Sequence, residues 1–504
     1  MPTFTRRAVI LKGALILTAI VLLVLLAGVV YLVVERISAG RELRAVKEKL
    51  TAEGILRPLS ELAPPPSPEA VAQGEKFLAV IAALEPLTKA DPDVRDGPEA
   101  MLMTAPGTAS VTTQAPAPAF PNSKGATHPA SWEELHQRLA PAVPILAEAR
   151  QLLKSPVSYE SDLTSFKSTI PAEHSQTLIV WLRANALLQL HDGNIPAAIS
   201  DMEALAQNAL FIGSKPSLIG YVLEMGMWQF GLNALFWEIL QSPSLTEADL
   251  IRLDHIANTA PPLSKALRCT EIELARQPPF IHSLKTYPAS EVYWAFSRSG
   301  DGILSTPQAD EIRMWLWRNV WADRDEAMTL AYWSSEIQDT RTLFSEGEWI
   351  DARDQVPPEE NLPPRGAWRF PWYYGMSNSN TVQGILRAAI KFETQRQLIR
   401  AAIALERYRL SHDAYPATLA ELVPAYLPEL PHDWYDGQPV KYHPPTSTTP
   451  YGLYSVGPDG IDNGGDPTPG KDLGNKRPFL TSGRDYVWPR PEKSPPPSET
   501  LPHP

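Results

Sequence analysis

The apolar positions of this chain fall into three patterns. From Gly13 to Val34 they form an uncharged run of 22 residues, enough to cross a bilayer core that takes about 20 residues of helix. Through the middle of the chain they recur three and four positions apart, the spacing of one helix face. Leu178 to Leu190, a glycine turn at Gly193, and Ile195 to Ala209 predict a helical hairpin with Ala197, Ala198, Met202, Leu205 and Ala209 inward. Further helices are predicted over Ser217 to Gln241, Ser244 to Ala257, Leu263 to Arg276 and from Thr306 onward. Ser131 with Glu134, and Ser244 with Glu247, have the spacing of capping boxes, and Pro307 suits a first turn. The third pattern fills the last quarter. A long helix over Thr381 to Ser411 carries Ile385, Ala389, Phe392, Ile399 and Ile403 on one stripe, with Leu386, Ile390, Leu398, Ala402 and Leu405 beside it. Asp413 and Pro416 end it, Thr418 with Glu421 caps a second helix, and short extended runs follow at Val440 to His443 and Leu453 to Val456. Asp436 and Gly437 supply the turn chemistry between them. The predicted fold is therefore mainly α. It comprises a single N-terminal transmembrane helix, an irregular α-helical bundle or solenoid, and a C-terminal α+β module with a long helix on a small antiparallel sheet.

Prolines set the boundaries. There are 51 of them, about twice the average usage, and they cluster. The divisions they suggest are an N-terminal tail over 1–12, the span over 13–34, membrane-proximal helices with a proline-rich break over 35–90, and a disordered Pro/Ala/Thr-rich linker over 91–131. A helical domain follows over 132–355, then a proline-rich linker over 356–367, the terminal module over 368–487 and a proline-rich tail over 488–504. The hairpin around Gly193 resembles a tetratricopeptide unit, but no copy recurs at a period of about 34 residues. A cleavable signal peptide has an apolar region of about 7–15 residues and a small-residue cleavage site. Gly13 to Val34 fits neither requirement, so an uncleaved anchor is predicted.

Charge and chemistry narrow the function. A net charge of −12 disfavours binding to phosphate backbones, so no nucleic-acid partner is expected. The single cysteine, Cys269, excludes an internal disulfide and a thiolate metal cage, and reads as a small buried hydrophobe. No zinc-protease helix, nucleophile elbow, phosphate loop or dinucleotide glycine motif is present, and the ten histidines are scattered singly. The chain reads as a non-enzyme. The tryptophans from Trp294 through Trp315, Trp317, Trp321 and Trp333 to Trp349, Trp368 and Trp372 could meet sugars or a membrane surface. Their positions on both sides of a helix favour core and interface roles.

The terminal pattern resembles the C-terminal domain of the major pseudopilin of type II secretion systems. It does so through Leu405, Tyr408, Asp413, Tyr415 and Pro416 at the helix end. Leu419, Leu422, Val423, Pro431, Asp433, Trp434, Gly437, Pro439 and Tyr442 continue the match, and Tyr451, Leu453, Tyr454, Ser455, Gly457, Asp459, Gly460, Gly464, Gly465 and Asp466 complete it. It covers roughly residues 381–466. The family's short leader, processing glycine and membrane-helix glutamate have no counterpart between Met1 and Lys12. Basic residues flank the span on both sides. The resemblance implies a module outside the cytoplasm, and the scarcity of cysteine agrees with that. The expected location is the cell inner membrane, single-pass, with the N-terminus cytoplasmic and the bulk periplasmic.

Asp459, Asp462, Asn463 and Asp466 fall within eight residues on a glycine-rich turn. Hard oxygen donors on a flexible loop suit calcium, although the spacing is not that of an EF-hand. A solvated polar turn is the competing reading. The resemblance implies calcium here, with backbone carbonyls near Leu453 and Ser455 as further ligands. Two functions stay open. One is a membrane-anchored structural or assembly protein with protein partners in a secretion or pilus-like system. The other is a helical adaptor or ligand-binding protein with a calcium-stabilised cap.

Overall fold

The computed structural model describes residues 3–90, 101–103, 109–114, 127–129, 131–160, 162–165, 170–288, 307–346, 379–447, 449–458, 460–466 and 485–488. Helix α1 (Thr3–Ala52) is unbroken over 50 residues, about 75 Å at 1.5 Å per residue. The sequence predicts a span and then a separate charged helix, but no breaker stands between Val34 and Ala39 and the turns continue. From Leu15 to Val34 the large apolar side chains lie on the surface, save a half-buried Leu32, and from Ala39 onward one face, Ala39, Leu43 and Leu50, is buried. The helix is long and apolar enough to cross a membrane.

Short helices α2 (Leu59–Leu62), α3 (Pro68–Ala82) and α4 (Leu84–Ala90) follow. Gly74 of α3 is a point of close approach: a Cβ there would stand 1.7 Å from the carbonyl oxygen of Ser158, whose N–H donates to Ala70 O at 3.0 Å. The interval 91–131, predicted to hold no packed element, contains strands β1 (Met101–Met103), β2 (Ala109–Gln114) and β3 (Thr127–Pro129), paired antiparallel in that order. Met101 to Met103 supply a short apolar run that the overall Pro/Ala/Thr composition hid, and Val111, Thr112 and Thr113 suit the extended strand paired with it.

The body is built from α5 (Trp132–Leu139), α6 (Val143–Leu152), α7 (Ala172–His191), α8 (Ile195–Ile212) and α9 (Leu218–Ile239). The predicted Ser131 and Glu134 box is formed, with Ser131 N–H donating to Glu134 Oε2 at 2.7 Å. Helix α7 is apolar on nearly every side and lies at the centre, as such a helix must. Gly193, at φ +74, turns the chain back into α8, and Gly231 lets α9 approach Leu205 and Ile179 closely.

Helix α10 (Glu247–Asn258) begins two residues later than the Ser244 box implied. Thr246 caps it, receiving Asp249 N–H at 3.2 Å and donating its own N–H to Asp249 Oδ2 at 3.1 Å. Helix α11 (Ser264–Thr286) does not stop at Arg276 but runs through Pro278 and Pro279, because Phe280, Ile281 and Leu284 beyond them are buried in a satellite cluster. Next come α12 (Pro307–Leu316), a π turn (Trp317–Trp321) and α13 (Ala322–Glu346), stacked end to end. The π turn directs Trp317 inward, where its indole N–H donates to Asp325 Oδ2 at 2.7 Å.

Helix α14 (Ser379–His412) ends where Asp413 adopts φ 55. The Thr418 and Glu421 box forms, though on a 3-10 turn (Leu419–Leu422) instead of a helix. Strands β4 (Lys441–His443), β5 (Gly452–Ser455) and β6 (Tyr486–Trp488) make an antiparallel sheet with β5 in the middle. The sequence gives no warning of β6, and Trp488, assigned to the tail, is buried in it against Trp237 at 5.6 Å. The dividing prolines Pro357 to Pro364 lie outside the described residues. Packing does not respect that division. Phe392 of α14 meets Trp228 of α9 edge-on at 5.3 Å, Gln229 bonds Gln395 at 2.6 Å, and one apolar core runs from Leu43 to Trp488.

Candidate cation-binding loop

The acidic loop leaves β5 at Ser455 and returns toward β6. Its backbone turns at Gly464 (φ 72) and Gly465 (φ 82), consecutive left-handed conformations open to glycine and costly for other residues. Two buried carboxylates hold it from below. Asp433 accepts Ser455 Oγ at 2.9 Å, Val456 N–H at 2.9 Å and Tyr435 N–H at 3.0 Å. Asp485 accepts Gly465 N–H at 2.7 Å, Asp466 N–H at 3.0 Å and Asn463 N–H at 3.4 Å, while its own N–H donates to Asp466 O at 3.0 Å. Burial pushes both carboxyls above the usual carboxylate range, and the N–H donors oppose that shift by favouring the charged form.

Of the predicted ligands, Asp462, Asn463 and Asp466 share one turn. Asp462 Oδ1 already accepts Gly464 N–H at 2.9 Å and the Tyr454 hydroxyl at 3.1 Å. Burial, then the bond to Asp462, pushes that phenol up to about 12. The Asn463 amide nitrogen donates to Ile461 O at 2.8 Å. Asp459 lies outside the described residues. Leu453 is buried in the middle of β5 with Tyr442 on one side and Trp488 on the other, so its backbone is directed at neighbouring strands. Ser455 commits its hydroxyl to Asp433 and to Gly457 N–H at 3.1 Å.

The donor set is carboxylate, amide and carbonyl oxygen, which fits calcium in kind. Among the described residues no three His, Cys, Asp or Glu side chains converge as a metal cluster. Asp485 is the residue sequence reading missed. It lies about twenty positions beyond the loop, before three apolar residues, Tyr486 to Trp488, too few to show a strand period, so no signal in the sequence marks it.

Elsewhere, Cys269 is buried and desolvation pushes its thiol up to about 12, as expected of a small core hydrophobe. Trp317 and Trp333 are core residues, whereas Trp315 is exposed. Trp294, Trp349, Trp368 and Trp372 lie outside the described residues. No family model, no curated protein and no solved structure matches the chain.

Proposed function

We propose that this is a membrane-anchored structural or assembly protein. In this reading α1 is a single-pass anchor in the cell inner membrane, the N-terminus is cytoplasmic, and the helical body and pseudopilin-like module stand on the periplasmic side. The observation that carries it is α1, whose apolar run Leu15 to Val34 is left uncovered by protein while its continuation from Ala39 is built into the body. The terminal module supports it further, since a long helix lies on a small antiparallel sheet with an acidic glycine-rich loop at its edge. Protein partners in a secretion or pilus-like system follow from the pseudopilin resemblance. The alternative, a helical adaptor with a calcium-stabilised cap, draws support from the core that the terminal module shares with α9 and α10.

Calcium binding by Asp462, Asn463 and Asp466 is part of the proposal. The resemblance adds Asp459 and the Ser455 carbonyl as further ligands, whereas the Leu453 backbone faces the flanking strands β4 and β6. Binding to the folded state alone stabilises by RT ln(1 + [L]/Kd), so calcium at about 100 times Kd should add about 2.7 kcal/mol. The test is thermal melting of the full chain in detergent with calcium or with chelator. Asp466→Asn should abolish the gain. Asp462→Asn should do the same and also lower the calcium-free melting temperature, because Tyr454 and Gly464 lean on that carboxylate. Identical curves with calcium and chelator would reduce the loop to a polar turn. Co-purification from solubilised membranes with components of a secretion or pilus-like machine tests the assembly role, and recovery of the chain alone would favour the adaptor.

A further inference from the structure

The direction in which α1 and α13 run past each other places α12. Arg324 binds Glu35 at 2.6 Å and Glu42 at 2.8 Å, Glu326 pairs with Lys47 at 2.5 Å, and farther along Arg57 and Arg341 share Glu271 at 2.7 and 3.0 Å. Later residues of α13 thus stand beside later residues of α1, and both climb away from the apolar run together. Extended the other way, the π turn and α12 descend toward Val34. The stripe Leu32, Glu35 and Ala39, progressively covered, marks the face of α1 turned to them.

At that level α12 is two-sided. Met314 points with Trp317 into a cluster of Phe280, Ile281, Leu284 and Ala322. Ile312 and Trp315, three residues apart and so on one face, are 62% and 60% exposed. An uncovered tryptophan and isoleucine in water would be a poor use of apolar surface. Beside the end of a membrane span they match the headgroup layer, where tryptophan is enriched.

We propose that α12 is a second membrane contact, entering the headgroup layer alongside α1 with Ile312 and Trp315 directed into the lipid. The inference rests on α1 as a bilayer span, a reading from which it can be separated by experiment. Two contacts, one crossing and one entering the surface beside it, fix the rotation of the body about α1, which a single helical anchor would leave free. The aromatic run is thereby divided, with Trp317 serving the core and Trp315 the lipid.

The test uses the full chain in phosphatidylcholine and phosphatidylglycerol vesicles, with an environment-sensitive fluorophore on one introduced cysteine at a time. Cys269 is buried and does not compete for label. The positions are Trp315→Cys, Ile312→Cys, Val24→Cys within the apolar run, and Ile461→Cys in the terminal module, beyond the far end of α13 where Phe344 meets Trp434. Labels at 312 and 315 should emit to the blue of the label at 461 and lose most of their emission to a nitroxide near the lipid headgroups. The label at 461 should lose none, and that at 24 should respond to a nitroxide deep in the acyl chains. A quenched label at 24 with water-like emission at 312 and 315 overturns the proposal and leaves the anchor intact. Blue-shifted but unquenched labels at 312 and 315 overturn it in favour of a protein-covered face. Water-like emission at 24 overturns the anchor reading itself.

Discussion

Trp228→Ala is expected to destabilise the full chain by about 3–5 kcal/mol, and to loosen the helical body and the terminal module together. Trp228 is almost fully enclosed in α9, with Phe236 stacked at 5.8 Å and Phe392 of α14 edge-on at 5.3 Å. Removing the indole opens a cavity at the place where the two halves of the chain share their core. Its buried Nε1 has no hydrogen-bond partner, so no polar bond is lost with it and the cost is one of packing and apolar burial. A residue serving one domain alone would lower the protection of that domain alone. Amide hydrogen exchange should instead show α9 and the β5 strand opening together in the variant, with Trp228→Phe giving a smaller effect of the same shape. Loss of protection confined to α9, with β5 as slow as before, would show that the terminal module holds itself up.

That cooperativity is the part of the architecture least legible from residue order. Helices α7 and α8 were readable because their apolar positions repeat locally and a glycine marks the turn, and α14 because two adjacent stripes announce a helix with something to cover. What α14 covers was not readable. The partners Trp228 and Phe392 are over a hundred and sixty residues apart, and a proline cluster between them looks like a separation. Proline interrupts secondary structure along the chain but does not decide which elements pack in space. The same limit hid β6, whose three residues are too few to show a period, and Asp485, whose role exists only once β6 has folded against β5. At α11 the rule that proline ends a helix yielded to the burial of Phe280 and Leu284. At α10 the start lies two residues beyond Ser244, at Thr246, where Asp249 completes the reciprocal bond, a pairing that sequence reading missed. In the acidic loop the sequence located the turn and its glycines. The anchoring beneath it, through Asp433 and Asp485, depends on burial that residue order does not display.

The stability of the chain should also depend on pH through one residue of α13, and a single substitution should remove that dependence. Glu336 is buried, and desolvation pushes its carboxyl from 4.5 to about 7; the Tyr332 hydroxyl opposes the shift and Asp339 adds to it. Because the folded state holds this proton more tightly than the unfolded state, Glu336 favours folding most below about pH 4.5. That contribution is lost as the pH rises through 7, where the folded chain must keep a charge out of water. At about 1.4 kcal/mol per pH unit the loss between pH 4 and pH 8 comes to about 3 kcal/mol. Glu336→Gln keeps the shape and carries no charge at any pH. It should be close to neutral at pH 4 and should exceed the parent by about 3 kcal/mol at pH 8, read as the difference between denaturation midpoints across that range. Asp339→Asn should give a smaller gain of the same sign, since it removes only the neighbouring repulsion. Parallel stability curves for Glu336→Gln and the parent from pH 4 to pH 8 would mean that the carboxylate is solvated in the folded chain and that α13 opens to water at this turn.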